Sequence, residues 1–484
     1  MNTPIRRLFG FIVLMFAVLL GATTWWTVVR AEDLNTDYTS QNRRDLLRGI
    51  KIPRGAIRAA DGTIIARSRK DAEGVYERRY PEGSLFGHPV GYSFVSLGQS
   101  GIEAFYNQEL AGGASTTDTI LRQLVGNQDG GDDLRTTLEP GAQKLAEELI
   151  AQASPEQGGS AVVLDPKTGA VKVMASVPGY DPNAVKSPKA FRALNADELR
   201  KPLVNRALQF GYAPGSSFKV VTLVAALDSG EYQPDSRVDG TNDVPISGVP
   251  LPNDFGESFG MIDLTTALSK SVNTAFAQIA EDLGGATMGR YMERFGFGAK
   301  PELDYPRNAM SAAGEYRDGK LIPPTSRFAD VGRMGIGQDK LQVPALQMAQ
   351  VAAAVANGGK LMRPHVGDRF VDEDGRTTKR IEPEVQSTVM SGETADAVTQ
   401  MMVAVVESGT GGAAKVPGMT VAGKTGTAET AETGVGTKNN LWFIGFAPAD
   451  DPQVAFAVTV KDVVGFGGGV AAPIAKQLIE ELVK

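Results

Sequence analysis

The amino-acid sequence predicts a mixed α/β (α+β) protein behind a single N-terminal transmembrane helix. Residues 8–29 carry no charge, which suits a membrane span. Alanines and leucines recur at helical spacing over 142–153, and a closing helix is indicated at 470–483. Short β-rich runs, among them 160–165 and 441–446, lie between these helices. Hydrophobic residues make up 42% and charged residues 22% of the 484-residue chain, as in folded globular proteins.

Composition excludes several kinds of site. The net charge is 49 − 56 = −7, so the global balance does not favour a nucleic-acid partner. The chain has no cysteine, and therefore no disulfide, no thiolate metal site and no cysteine nucleophile. Its two histidines, His88 and His365, lack the His-Glu-x-x-His spacing of a zinc-binding helix. We therefore expect no metal site.

The first element is the uncharged run at residues 8–29, whose 22 residues can cross roughly 30 Å of hydrocarbon as a helix. A cleaved signal peptide is the alternative, but the run is longer than a typical signal core and no Ala-x-Ala site follows it. The Trp-Trp pair at 25–26 suits an interfacial anchor. Because Arg6 and Arg7 precede the span, we expect a cytoplasmic tail and an extracytoplasmic chain from about residue 31.

The exported part divides near residue 130. Residues 31 to about 130 contain charged turns and short strand-like runs, and the polar, glycine-containing stretch 127–133 is a candidate hinge. We predict a tail and anchor at 1–30, an N-terminal domain at 31–157 and a larger domain at 158–484.

The triplet Lys-Thr-Gly occurs twice, in two different settings. In Pro-Lys-Thr-Gly at 166–169 it joins the β-rich runs 160–165 and 170–176, which predicts a hairpin turn. At 424–426 it follows an apolar stretch and precedes two strand-like runs. We predict that this second copy lies on a strand and displays its lysine and hydroxyl groups along the edge of a sheet.

Two segments offer a serine nucleophile. The stretch 256–260 has the Gly-x-Ser-x-Gly pattern of a nucleophile elbow, but no strand precedes it, and a chain with 56 glycines readily produces this pattern by chance. The other is Ser216-Ser-Phe-Lys219, which follows Pro-Gly and leads into an apolar helix. Its spacing places Ser216 and Lys219 on one helical face. In isolation, a helix-capping serine and a solvated lysine would be the simpler interpretation.

A third motif favours chemistry over that interpretation. Ser271-Val-Asn273 lies in a predicted helical region, 264–283, where two polar side chains in one turn could face a cleft. The order Ser-x-x-Lys, Ser-x-Asn, Lys-Thr-Gly is that of the penicillin-recognising serine acyltransferases. With blocks such as 442–448, these motifs resemble the class B penicillin-binding proteins, which are monofunctional transpeptidases, and among them the actinobacterial penicillin-binding protein A group.

The resemblance covers nearly all of residues 158–484. It implies a transpeptidase domain with a central antiparallel sheet flanked by helices, and an elongated pedestal or dimerisation-type domain at 31–157. Ala59-Ala60 stands where the family usually has Asp-Arg, and Asn440 where His is common. These departures concern pedestal contacts and partner choice, and they leave the acylation motifs complete.

The residue types set a chemical requirement on the two lysines. A serine hydroxyl is a weak nucleophile, and Lys219 can act as its base only when uncharged. The lysine pKa must therefore fall from its usual value of about 10.4. Burial and a second cation nearby, Lys424, would both lower it.

The resemblance implies the remaining roles. It makes Ser216 the acylated nucleophile, and it takes the oxyanion-stabilising N–H groups from Ser216 and Thr427. Ser271 would pass the proton to the leaving amine, and Asn273 would hold the substrate amide. The side chains that would bind the terminal carboxylate of the substrate or a β-lactam come from one strand: Lys424, Thr425, Gly426 and Thr427.

The substrate that the family uses is a peptidoglycan stem peptide ending in D-Ala-D-Ala, which penicillin imitates. No cofactor or metal is needed. Because no glycosyltransferase-sized region lies between the anchor and residue 158, the resemblance implies a SEDS-family polymerase as partner. Two alternatives remain. A β-lactam hydrolase or sensor would need a deacylating base, and no clear Glu-x-x-x-Asn lies between Ser271 and Lys424. A membrane-anchored cell-wall scaffold with a vestigial site would not need the complete motif set.

Overall fold

The structure, a computed structural model, describes residues 3–25, 53–112, 130–429 and 438–483. Its first element is the helix Thr3–Thr24. The segment Pro4–Thr24 has a mean hydropathy of 2.0 and is long and apolar enough to cross a membrane. The last residues of the predicted span, Trp26 included, lie outside the described residues.

Strands from two distant parts of the chain build the N-terminal sheet. Its six strands run, in spatial order, Thr377–Arg380, Gly367–Val371, Asp133–Thr136, Ile57–Arg58, Ile64–Lys70 and Tyr76–Arg79. The hairpin at 367–380 belongs to the C-terminal half of the chain, but its first strand pairs with the strand Asp133–Thr136. In this pairing Phe370 lies opposite Leu134. Of the predicted hinge at 127–133, residues 127–129 lie outside the described residues, and residues 131–133 are hydrogen-bonded into this region, so the hinge prediction is wrong for residues 131–133.

A buried ion cluster stabilises the N-terminal region. The Glu103 carboxylate accepts hydrogen bonds at 2.6 Å from Arg54 Nε and at 2.6 Å from Arg78 Nε, and at 3.1 Å from the Tyr80 hydroxyl. Burial alone would raise the pKa of Glu103, but the two guanidinium groups outweigh it and hold the pKa below its usual range. Glu103 therefore stays charged and ties the segment at residue 54 to the helix Gly101–Phe105.

The second sheet is antiparallel throughout and lies at the centre of the larger region. Its order is Ala422–Glu429, Lys438–Ala447, Val454–Val464, Gly159–Leu164 and Val171–Val177. Two predictions are confirmed here. The triplet at 167–169 turns the hairpin between the last two strands, with Gly169 at φ 83°. The triplet at 424–426 lies on the edge strand.

Side-chain alternation gives this sheet two buried faces. Trp442 and Ile444 pack on one face, and Phe443 and Phe456 on the other. On the first face, the helices Ala345–Ala356 and Gly392–Ser408 contact the sheet strands. The helix Lys219–Asp228 packs on Gly392–Ser408 and on the helix Asn273–Arg294. The second is covered by the helices Pro140–Ala153 and Gly467–Leu482.

The closing helix begins at Gly467, three residues before the start predicted from the sequence. Its first residue lies against the sheet backbone: a Cβ on Gly467 would stand 2.3 Å from the Trp442 carbonyl oxygen and 2.4 Å from that of Gly426. Only glycine permits this approach at position 467, and the three glycines at 467–469 form the first turn of the helix.

Shorter elements connect these layers. The short helices are Gly83–Phe86, Gly87–Val90, Asn107–Leu110, Pro182–Val185, Pro188–Asn195, Gly215–Phe218, Asp254–Gly256, Leu264–Ser269, Arg307–Ala309, Val331–Gly335 and Gly412–Ala414. The small sheets are Ser93–Phe94 with Gly98–Gln99, Arg237–Asp239 with Met261–Asp263, Val244–Ile246 with Val249–Leu251, Leu341–Gln342 with Gly314–Arg317 and Lys320–Ile322, and Lys360–Met362 with Val385–Thr388.

Candidate active site

Ser216 lies in a tight turn that packs against the edge strand of the central sheet. The turn is a 3-10 helix, Gly215–Phe218, and the α-helix follows from Lys219. A Cβ on Gly426 would stand 2.6 Å from the Pro214 carbonyl oxygen and 3.1 Å from the Ser217 nitrogen. The glycine of the second Lys-Thr-Gly triplet is therefore required by the close approach of this turn.

Ser271 lies at a break between two helices. The sequence predicts one helical region over 264–283, but the structure ends one helix at Ser269 and begins the next at Asn273. Between them Ser271 has φ 59°, a left-handed conformation that costs a non-glycine residue on the order of 1–3 kcal/mol. The break turns both the hydroxyl and the carbonyl oxygen of Ser271 towards Lys219.

Four of the predicted side chains share one hydrogen-bond network. Lys219 Nζ donates to the Ser271 carbonyl oxygen at 2.6 Å, to Asn273 Oδ1 at 2.7 Å and to Ser271 Oγ at 3.3 Å. Lys424 Nζ donates to the same Ser271 Oγ at 2.9 Å. The half-buried Ser216 is not among the acceptors of Lys219. Catalytic hydrogen bonds often form only once a substrate is bound, so this geometry is compatible with a Ser216–Lys219 pair.

Burial lowers the pKa of both lysines. The Lys219 and Lys424 side chains are fully buried. Desolvation, and next the charge of Lys424, hold the pKa of Lys219 well below its usual value. Desolvation also lowers the pKa of Lys424, to about 7. A neutral Lys219 is the form that can accept a proton.

The edge strand brings the remaining predicted residues to the same place. Thr425 is buried and its hydroxyl lies 2.6 Å from that of Thr410. Thr427 is half-buried, and its hydroxyl accepts a hydrogen bond from the Gly467 N–H at 3.3 Å. The Thr427 carbonyl oxygen would stand 2.5 Å from a Cβ on Gly215, which places Thr427 beside the Ser216 turn.

Two residues at the site, Asp254 and Thr410, were not identified from the sequence because neither lies in a recognisable motif. Asp254 Oδ1 accepts a hydrogen bond from Asn273 Nδ2 at 3.2 Å, and its charge raises the pKa of both lysines, against the effect of burial. Thr410, which contacts Thr425, is the other. Asp254 thus both orients Asn273 and limits how far the lysine pKa values fall.

The alternative serine does not have the setting that its motif requires. Ser258 is exposed, and the element before it is the 3-10 helix Asp254–Gly256 rather than a strand, so the pattern at 256–260 is not a nucleophile elbow. Among the described residues, no group of three or more His, Asp or Glu side chains could hold a metal ion. The chemistry that the site offers is nucleophilic attack by a serine assisted by a neutral amine.

Two family models match the chain. One, described as the penicillin binding protein transpeptidase domain, matches residues 159–480, which is more than half of the chain. The other, described as the penicillin binding protein A dimerisation domain, matches residues 54–134.

Similar proteins align over nearly the whole length. The chain is 32% identical to the peptidoglycan D,D-transpeptidase PbpA of Mycolicibacterium smegmatis over 499 residues, covering 99% of this chain and 98% of that protein. It is 30% identical to PbpA of Mycobacterium tuberculosis, covering 99% of each. It superposes on the ceftriaxone acyl-enzyme complex of M. tuberculosis penicillin-binding protein A with a TM-score of 0.81 and 28% identity, covering 90% of this chain and 100% of that one.

Proposed function

Because this chain belongs to the family of penicillin-binding protein transpeptidases, we propose that it cross-links peptidoglycan stem peptides through an acyl-enzyme on Ser216. It is a peptidoglycan D,D-transpeptidase, a serine acyltransferase that β-lactams acylate. The observation that carries the assignment of residues is the network in which two buried lysines converge on Ser271 at 2.6 and 2.9 Å, next to the turn that holds Ser216.

In the proposed first step, Ser216 Oγ attacks the carbonyl carbon of the penultimate D-Ala. Lys219, whose pKa is lowered by burial, accepts the hydroxyl proton in its neutral form as the new C–O bond forms. The C–N bond to the terminal D-Ala then breaks, and Ser271 passes a proton to the leaving amine. An amine of a second stem peptide attacks the acyl-enzyme and forms the new C–N bond of the cross-link. The C–O bond to Ser216 breaks, and the proton that the amine loses returns to Ser216 Oγ.

The proposed binding roles follow from position on the edge strand. The N–H groups of Ser216 and Thr427 would stabilise the oxyanion, because the Ser216 turn packs directly on the strand at this point. Lys424, Thr425 and Thr427 would face the terminal carboxylate, with Gly426 providing room for the turn. Asn273, held by Asp254, would orient the substrate amide.

A time course of intact-protein mass with a penicillin distinguishes the transpeptidase from its alternatives. We expect one adduct per chain that persists, because stem-peptide transfer needs an acceptor amine that the assay omits. Rapid return to the unmodified mass with consumption of the penicillin would indicate a β-lactam hydrolase. A chain that never gains the adduct would be a scaffold with a vestigial site.

We further propose a domain organisation with three parts. Residues 1–30 would form the tail and anchor, 31–157 the pedestal and 158–484 the transpeptidase domain, in keeping with the family matches at 54–134 and 159–480. Stem-peptide transfer leaves glycan polymerisation to separate chemistry, for which we propose a SEDS-family glycosyltransferase as partner.

The helix Thr3–Thr24 is proposed to anchor the protein in the cell membrane as a single pass, with the catalytic domain outside. Arg6 and Arg7 support this orientation, because basic residues stay on the cytoplasmic side. Alkaline phosphatase fused after residue 484 should therefore be active, and the protein should stay in the membrane fraction with an intact N-terminus. An inactive fusion, or a mature chain that begins near residue 23 or 31, would contradict the proposal.

A further inference from the structure

Two exposed phenylalanine rings meet beside the active site. Phe255 is 81% exposed and Phe466 is 51% exposed, although side chains of this kind are usually buried. Their ring centroids lie 5.4 Å apart with an angle of 52° between the planes, which is contact distance for an aromatic pair. Each ring thus finds its packing partner in the other.

The two rings belong to opposite walls of the site. Phe255 follows Asp254, which accepts the hydrogen bond from Asn273. Phe466 precedes Gly467, whose N–H donates to the Thr427 hydroxyl. The ring contact therefore bridges the wall that carries Asn273 and the edge strand that carries Thr427.

The backbone at Phe255 holds its ring in this position at a cost. Phe255 has φ 58°, a left-handed conformation that is rare for a bulky residue. Strained residues of this kind cluster at ligand clamps and switch segments, where the surrounding structure maintains them. The neighbouring Gly256, at φ 68°, gives the segment room to move without a further penalty.

We propose that Phe255 and Phe466 form an aromatic gate across the mouth of the acyl-donor site, which must open before a donor reaches Ser216. The gate regulates access to the site described above and rests on the proposed function. Because the contact is exposed, it is weak, and the open state is populated without a ligand. The observed acylation rate is then the rate of the open form multiplied by the open fraction.

The test is a double-mutant cycle with 6-aminopenicillanic acid, a penam without an acyl side chain that a ring could hold. The variants are Phe255→Ala, Phe466→Ala and the double variant of the full-length protein, and the second-order acylation rate is read from intact mass. Each single variant should acylate faster, by about 2- to 10-fold, because either substitution removes the ring contact that closes the gate. The acylation rate of the double variant should exceed the wild-type rate by no more than that of either single variant. Phe466→Leu, which keeps an apolar side chain but no ring, should give a smaller gain.

The matched control is Phe328→Ala. Phe328 is also exposed, at 40%, and its ring packs on the Arg317 guanidinium, so its loss should leave the rate unchanged. Unchanged or slower acylation of both single variants, or gains that multiply in the double variant, would overturn the gate while leaving wild-type acylation intact. A wild-type protein that gains no adduct would overturn the proposed function and the gate together.

Discussion

Ser216→Ala is expected to abolish the penicillin adduct, with a loss of at least about 10⁴-fold in acylation rate, because the substitution removes the Oγ atom proposed to form the acyl bond. The substitution removes one oxygen atom from a half-buried side chain, and the turn around it is held by backbone contacts such as the Gly215 N–H to the Gly337 carbonyl oxygen at 2.9 Å. The fold should therefore persist. Intact mass after incubation with a penicillin measures the adduct, and circular dichroism checks the fold.

Ser258→Ala is the matched control for this experiment. It changes the serine of the alternative motif, which is exposed and lies in the loop before the strand Met261–Asp263. Its adduct should form at the wild-type rate. A labelled, folded Ser216→Ala protein, or loss of labelling in Ser258→Ala, would show that the nucleophile has been assigned to the wrong serine.

Elements whose structure is set by neighbouring residues were predictable from the sequence. The hairpin at 166–169 follows from proline and glycine between two β-rich runs, and the strand at 422–429 from apolar residues that precede similar runs. Local pattern also placed the helix at 142–153, which the structure extends to Pro140–Ala153. In each case the information lies within a few residues of the element.

Features that depend on distant contacts were not predictable. The pairing of Phe370 with Leu134 joins residues that lie more than two hundred positions apart, and no local pattern records it. The early start of the closing helix depends on a close approach to Trp442 and Gly426. A sequence shows three glycines there but not the backbone that lies too close to Gly467 for a side chain.

The same limit applies within the site. The apolar periodicity around Ser271 predicts one continuous helix, and Leu268, Val272 and Phe276 are indeed buried. The helix is nevertheless interrupted at Ser271, whose carbonyl oxygen and hydroxyl accept hydrogen bonds from two lysines of other elements. Asp254 reaches Asn273 from the 3-10 helix Asp254–Gly256, a segment without a recognisable motif. Spacing therefore identified the residues of three motifs, but not the side chains that orient them.

Lys424→Ala is expected to slow acylation by at least about a hundredfold, comparable to the loss of one preorganised electrostatic group. The substitution removes the cation that would hold the donor carboxylate, and it leaves Ser271 Oγ without its 2.9 Å hydrogen bond. The strand should remain in place, because residues 422–429 pair with 438–447 along their length. The measurement is the second-order rate of penicillin acylation across pH, with circular dichroism to confirm the fold.

The pH dependence should move in a defined direction. Acylation rises with pH as Lys219 loses its proton, so the acid limb of the rate profile follows the pKa of Lys219. Burial is the larger cause that lowers this pKa and stays in the variant, whereas the charge of Lys424 is lost. The pKa of Lys219 therefore rises and the acid limb of Lys424→Ala shifts to higher pH, while remaining below the range of an exposed lysine.

Lys167→Ala is the internal control, because it changes the other copy of the same triplet. Lys167 is exposed in its turn and pairs with Asp451 at 2.6 Å, a surface ion pair that contributes little to stability. Its rate of acylation and its pH profile should match those of the wild type. Equal acylation rates for the two variants, or a larger loss of rate in Lys167→Ala, would show that the catalytic strand has been assigned to the wrong triplet. A Lys424→Ala profile with an unmoved acid limb would show instead that the charge of Lys424 does not set the protonation of Lys219.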